Sequence, residues 1–403
     1  MAVFDETGNV GLTVVRWRIL VLLFLARVGL GFQFQTVVSL GDDLGLAFDY
    51  DQSEIGVLIG LFMAPGLFLA LPAGLAGGYA SDRVLATVGL GALAFGGVVS
   101  ALAMEGWVLG LGRLLAGVGF LLSTLYFTKM VADWFEGREI ATAMSVLVMS
   151  WPLGIALGQI GHVWLAERLG WPAAFLAASA YCALAAASVA LLYRPPGNRR
   201  SEGRRLSFKL SAGEWRLILA AGAAWGLLNA GYVVYLTFGP MTLVALGDSG
   251  LGAAATISVA SWIMILSGTL CGQIADRFGR RDAILALCMT AAVVALSLLS
   301  LSGAGLAASL LFGLLGMAPA GLVMALAGEA VPAERRAFAM GIFFTLYYAI
   351  MAVTPPISGW IYDTTGRADA PLVLGMLLFA SVVPAGLLFR IWKCSASAEG
   401  VRA

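Results

Sequence analysis

Charge is scarce in this chain: 12% of its 403 residues are Asp, Glu, Lys or Arg, and Lys129, Lys209 and Lys393 are its three lysines. Soluble domains carry about 25% charged residues, so there is no charged shell here to hold a core in water. None of the lysines follows a glycine, which removes a phosphate-cradling G-K-[ST] loop and disfavours an ATP-driven pump built on this chain alone. A net charge of +1 with no basic stripe excludes nucleic acid as a partner. Histidine occurs once, at His162, and the four cysteines, Cys182, Cys271, Cys288 and Cys394, have no C-x-x-C spacing, so no metal site is expected and the cysteines read as packing residues. There is no G-x-S-x-G elbow, no H-E-x-x-H and no carboxylate pair inside an apolar run, so neither an enzyme nor a cofactor is expected.

What the chain has instead is apolar length. Hydrophobic residues make up 60% of it, against roughly 45–50% in soluble domains, and the bilayer must be the solvent. Segments long enough for a hydrocarbon slab of about 30 Å recur twelve times, the first near 17 to 40 and the last near 371 to 393, with the weakest break at Ser302, Gly303 and Gly305. With both termini inside, twenty of the twenty-four Lys and Arg fall on the inner side, and only Arg168 and Arg367 fall on outer loops. A multi-pass protein of a bacterial inner membrane with both termini cytoplasmic is therefore expected. The residues before the first span carry Asp5 and Glu6 and lack a cleavage site, so the first span should be retained. The first outer loop, with Asp42, Asp43, Asp49, Asp51 and Glu54, reads as a solvated acidic loop.

Between two of the apolar runs lies Gly272-Gln273-Ile274-Ala275-Asp276-Arg277-Phe278-Gly279-Arg280-Arg281, and 194 residues before Asp276 a shorter copy occurs as Gly78-Tyr79-Ala80-Ser81-Asp82-Arg83. A second repeat agrees: Asp133 with Ala141-Thr142-Ala143-Met144 returns at an offset of 196 as Glu329 with Ala337-Phe338-Ala339-Met340. The segment Arg194 to Glu214, rich in Arg, Ser, Gly and Pro, is the natural linker between the copies. The duplicated loop resembles the G-x-x-x-D-R-x-G-R-R signature of the major facilitator superfamily of secondary transporters. The stretch Gly112-Arg113-Leu114-Leu115-Ala116-Gly117-Val118-Gly119 is similar to that family's R-x-x-x-G-x-G pattern. The resemblance implies an all-α membrane protein of twelve transmembrane helices in two pseudo-symmetric six-helix bundles, 1–193 and 215–403, joined by a cytoplasmic linker, 194–214. It also implies alternating access, with Gly78, Asp82, Arg83, Asp133, Gly272, Asp276, Arg277, Gly279, Arg280, Arg281 and Glu329 forming a conformational latch. The first copy departs from the pattern, since Val84-Leu85-Ala86 stands where G-R-R is expected.

Candidate solute contacts are the polar residues inside spans. Arg27 lies near the centre of the first span, where a charge costs about 2.5–3.5 kcal/mol on insertion scales, and Gly31, Phe34 and Gln35 share its side of a helix. Arg113 lies in the fourth span; it either meets solute or ties the bundle through backbone carbonyls. The N-terminal half has no mid-span carboxylate to neutralise these arginines, and Arg offers a planar fork suited to carboxylate-like anions. A small organic or inorganic anion is the expected solute, with a coupling proton or counter-anion as a further partner and a monomer in the bilayer as the working unit. Asn229, Tyr232, Tyr347 and Tyr348 add mid-span polar and aromatic groups from the seventh and eleventh helices, and Phe344 lies beside the last two. Pro152, Pro319, Pro355 and Pro356 are expected to bend helices. His162 is expected at the outer interface. The rival readings are a proton-coupled exporter of neutral or cationic drugs, which a mid-membrane acid would favour, and a sensor without transport, which an added soluble domain would favour.

Overall fold

The computed structural model describes residues 10–75, 79–135, 139–196, 210–301, 303–332 and 335–400. Its helices are α1 (Val10–Ser39), α2 (Gly41–Phe48), α3 (Gln52–Leu75), α4 (Asp82–Ala101), α5 (Gly106–Phe135), α6 (Ile140–Leu169), α7 (Trp171–Leu192), α8 (Ala212–Ala245), α9 (Gly250–Phe278), α10 (Arg281–Leu299), α11 (Gly305–Leu311), α12 (Ala320–Glu329), α13 (Arg336–Thr365) and α14 (Ala370–Gly400). Eleven spans among the described residues are long and apolar enough to cross a membrane, with α11 and α12 counted as one. The 30-residue α1, which carries Arg27, completes the twelve. The short α2 lies where an acidic loop is expected; Asp42 and Asp43 occupy its first turn, the end at which a helix dipole favours negative charge.

Local chemistry sets the breaks. Ser81, Ser211 and Ser249 cap α4, α8 and α9, and Ser211 forms a reciprocal capping box with Glu214. Gly279 ends α9 in the left-handed region at φ 65°, which only glycine adopts without strain. The tenth span is interrupted as expected near Pro319: a π-helical turn, Phe312–Gly316, and a short bend separate α11 from α12. Pro152, Pro355 and Pro356 lie inside α6 and α13.

Helices α1 to α7 pack mainly on one another, as do α8 to α14, and the main contacts crossing between the sets are α3 with α13, α6 with α9 and, lightly, α1 with α8. In a bilayer, association rests on close van der Waals packing rather than apolar burial, so small residues mark the seams. A Cβ at Gly31 of α1 or Gly154 of α6 would run into the other helix's backbone, and the same holds for Gly96 and Gly112 between α4 and α5. Along α3, Gly56 and Gly60 press on the carbonyls of Pro355 and Ala352, while Gly359 of α13 presses on that of Gln52. Two faces result: one carries Leu75, Asp82, Leu192, Ala212 and Arg281 at helix ends and is called the linker face. The far face carries α2 and the start of α3.

Candidate solute site between the helix sets

Pro152 has no N–H, so it leaves the Val148 carbonyl one turn earlier without its helical donor. Arg27 reaches across from α1 to this gap: Nη1 donates to Leu147 O at 3.0 Å, to Val148 O at 3.4 Å and to Ser150 Oγ at 3.0 Å. Its Nε has no hydrogen-bond partner, and among the described residues no carboxylate pairs with it. The guanidinium lies within electrostatic reach of Tyr347 and Tyr348 on α13. Among the described residues neither of those hydroxyls has a hydrogen-bond partner.

Aromatic rings continue this junction in both directions. Trp225 of α8 lies 6.3 Å from Tyr347, Tyr347 packs 4.9 Å from Tyr348, and Tyr348 meets Phe120 of α5 at 6.5 Å. Phe120 then meets Trp151 of α6 at 5.3 Å, and Trp151 meets Phe34 of α1 at 5.4 Å. Asn229 of α8, half-buried, donates to Trp225 O at 2.8 Å, at the α8 end of the chain of rings. Helices α3 and α13 touch from the far face down to this level, where a Cβ on Gly66 would collide with the Tyr348 ring.

The other candidates are used elsewhere. Arg113 is fully buried; its Nε and two Nη atoms donate to Leu58 O, Gln33 O, Thr36 Oγ1 and Phe34 O at 3.2–3.4 Å, and its guanidinium lies 4.5 Å over the Phe62 ring. These four hydrogen bonds and the ring contact tie α5 to α1 and α3, and none involves an acid. Tyr232 bonds Ser261 Oγ at 2.6 Å and stacks on Phe312 inside the second helix set. Gln35, two turns above Arg27 along α1, is fully buried against Gln159 of α6. His162, expected at the interface, is instead fully buried, with Nε2 2.9 Å from Phe32 O. Its ring is turned onto α1 because Gly158, one turn below, lets the two helices close.

The ion pairs described for residues of the duplicated loop, Asp82 with Lys129 and Arg281 with Glu329, lie within a set. Asp82 is buried and accepts from Lys129 Nζ at 2.7 Å, and Arg83 bonds the Ala190 carbonyl. Glu329 gathers Arg281 at 3.2 Å, Arg390 at 3.2 Å and Lys393 at 2.7 Å. Asp133 is half-buried on α5, Arg277 and Arg280 are exposed, and Gly272 has open space around it. Gly78 and the Asp276 side chain lie outside the described residues. Three polar contributors have no sequence pattern that assigns them a role. Gln159 carried no signal. Ser150 sits beside Pro152, whose missing N–H is the clue to a free carbonyl. Asp363 accepts from Gln52 N at 3.0 Å and Ser53 N at 2.8 Å, joining α13 to the start of α3.

Residues 19–355 match the Major Facilitator Superfamily, and the chain belongs to that family. It is 27% identical over 287 residues to an uncharacterized MFS-type transporter of Mycobacterium tuberculosis (strain CDC 1551 / Oshkosh), a match that spans 68% of this chain and 63% of that one, under two thirds of the relative's length. Among solved structures, the fold is similar to a bacterial homologue of the human lysosomal transporter Spinster in an inward-facing, unoccupied conformation, at 15% identity over 94% of this chain and 95% of that one, TM-score 0.70. It is also similar to the nucleoside transporter NupG at 12% identity, covering 94% and 99%, TM-score 0.71. A POT family transporter in complex with 5-aminolevulinic acid matches at 14% identity, covering 92% and 96%, TM-score 0.71. At such identities the likeness carries the fold alone. Membership of the family points to a membrane transporter rather than an enzyme.

Proposed function

We propose that this chain is a secondary transporter that moves a small organic anion by alternating access, and that Arg27 is the group that holds the anion. The observation that carries this reading is a guanidinium between the helix sets whose Nε is unpartnered and which has no acid beside it among the described residues. A carboxylate entering there would meet the free edge of the fork and the hydroxyls of Tyr347 and Tyr348, while its apolar body would lie against Trp151, Phe120 and Trp225. Arg113, with its donors on carbonyls, supports the bundle instead. The excess of Lys and Arg at the linker face supports a cytoplasmic position for that face and for both termini. With α3 closed on α13 at the far face, the structure fits the state open to the cytoplasm. A proton or counter-anion would couple the cycle, and one chain would suffice for it.

The test is thermal stabilisation of the purified protein by a panel of aliphatic and aromatic carboxylates, nitrate, cyanate and cationic dyes, for the wild type and for Arg27→Gln. Carboxylates should raise the melting temperature of the wild type and leave Arg27→Gln unmoved. Stabilisation by cationic dyes alone would overturn the reading in favour of a drug exporter, for which the aromatic belt would serve equally well, and carboxylate binding that survives Arg27→Gln would overturn the assignment of Arg27 as the group that holds the anion.

A further inference from the structure

The first helical turn of α3 has backbone N–H groups with no partner inside the helix, as every helix does. Asp51 and Glu54 satisfy part of this need locally: Glu54 N donates to Asp51 Oδ1 at 2.8 Å and Asp51 N donates to Glu54 Oε2 at 3.0 Å, a reciprocal box. The two N–H groups between them, on Gln52 and Ser53, are taken by the two carboxylate oxygens of Asp363, which lies 311 and 310 residues further along the chain on α13. The cap of a helix in one set is thus completed by the other set. The fit is close: Gly359, one turn before Asp363, presses on the Gln52 carbonyl, so a side chain at 359 would hold the carboxylate away.

We propose that Asp363 is a positioning residue for the transport cycle: it forms the far-face latch by capping α3, and opening to the far side requires the cap to come apart. The proposal rests on the alternating-access reading. A capping carboxylate suits this task because both partners are at a helix end, where water can replace either when they separate. The two N–H groups and the carboxylate therefore exchange one set of hydrogen bonds for another, and the latch can be reversible. A seam of packed glycines alone would have no such exchange.

The experiment uses the full chain in nanodiscs, with its four cysteines replaced and one reporter introduced by Ser358→Cys, at a fully buried residue beside Gly359. The readout is the rate of labelling by a hydrophilic maleimide. Asp363→Ala should raise it about three- to tenfold, the population change expected on losing a cap of ordinary strength, and Asp363→Asn should raise it less. A second variant separates latch from scaffold. Gln52→Pro deletes one of the two N–H donors at the first helical position, where proline suits a helix, so it should raise labelling with no loss of melting temperature. Gln52→Ala, which keeps the N–H, should not. Labelling needs no solute, so a chain that carried no anion would still report the latch. Unchanged labelling in both Asp363→Ala and Gln52→Pro, or a lower melting temperature without added labelling, would overturn the proposal and leave Asp363 a structural cap.

Discussion

The two faces of this molecule are held in opposite ways. At the far face, bonds and close contacts run between the helix sets: Asp363 to the start of α3, Gly359 on Gln52, Gly56 on Pro355. At the linker face, the ion pairs defined among the described residues run within a set: Arg16 with Glu139, Lys129 with Asp82, Arg335 with Glu214, Arg390 with Asp282, and Glu329 with Arg281, Arg390 and Lys393. The far face is therefore closed by interactions that must break in the cycle, while the linker face is rich in interactions that can persist through it. The difference shows which charges to count as gates. A salt bridge inside one moving body holds that body together and does not choose between access states; a bond between bodies does.

The largest effect should come from the glycine seam. Gly56→Leu would force α3 off the Pro355 carbonyl, and overpacking of this kind costs about 1–3 kcal/mol, roughly a five- to 150-fold change in the balance of states. Far-side labelling should rise and transport should fall by at least about fivefold. The control is Gly91→Leu on α4, a glycine with nothing within 4 Å of a would-be Cβ, which should leave both readouts near wild type. If the two variants behave alike, the seam is not what closes the far face.

Much of this contrast could not be read from the sequence, and particular residues say why. The span count, the repeat and the broken tenth helix follow from apolar length, spacing and Pro319, all local properties. Arg27 stood out because a charge in mid-span is costly wherever it points. What Arg113 does was left open, because whether a buried guanidinium meets solute or carbonyls depends on which backbones pass beside it, here those of α1 and α3. His162 differs from its expected interfacial position for a related reason: distance along α6 gives depth in the membrane but not which way the ring turns. Asp363 lay in no motif. Its role exists only when α13 meets the start of α3, and no local pattern encodes a cap supplied from more than three hundred residues away.

A smaller effect is expected from the linker-face pair of the first repeat. Asp82 is buried and Lys129 is half-exposed, so Asp82→Asn removes the charge from the buried partner and frees the lysine to water. Solute affinity measured by thermal shift should stay within about twofold, while the transport rate falls several-fold, as expected for a residue that alters the balance of states and leaves the solute site intact. Asp276→Asn, at the matching position of the repeat, should move both readouts in the same directions. Loss of affinity as large as the loss of rate would place these residues in the solute path instead.

The smallest effect should come from Glu329, and it sharpens the comparison most directly because three cations gather on this one acid within a single helix set. Glu329→Gln removes the acid shared by Arg281, Arg390 and Lys393, of which Arg390 keeps Asp282 at 3.2 Å, and the added repulsion should lower the melting temperature by a few degrees at low salt. The carboxylate and its partners are partly exposed, so the repulsion is screened over a Debye length of about 8–10 Å at ordinary ionic strength and more strongly above it. Raising salt to about 1 M should therefore recover most of the lost melting temperature. Because the cluster joins α10, α12 and α14 of the same set, far-side labelling of the Ser358→Cys reporter should not change. A salt-insensitive loss of stability would mean that Glu329 is held by packing rather than charge. A change in far-side labelling would mean that this linker-face cluster, too, helps choose between the access states.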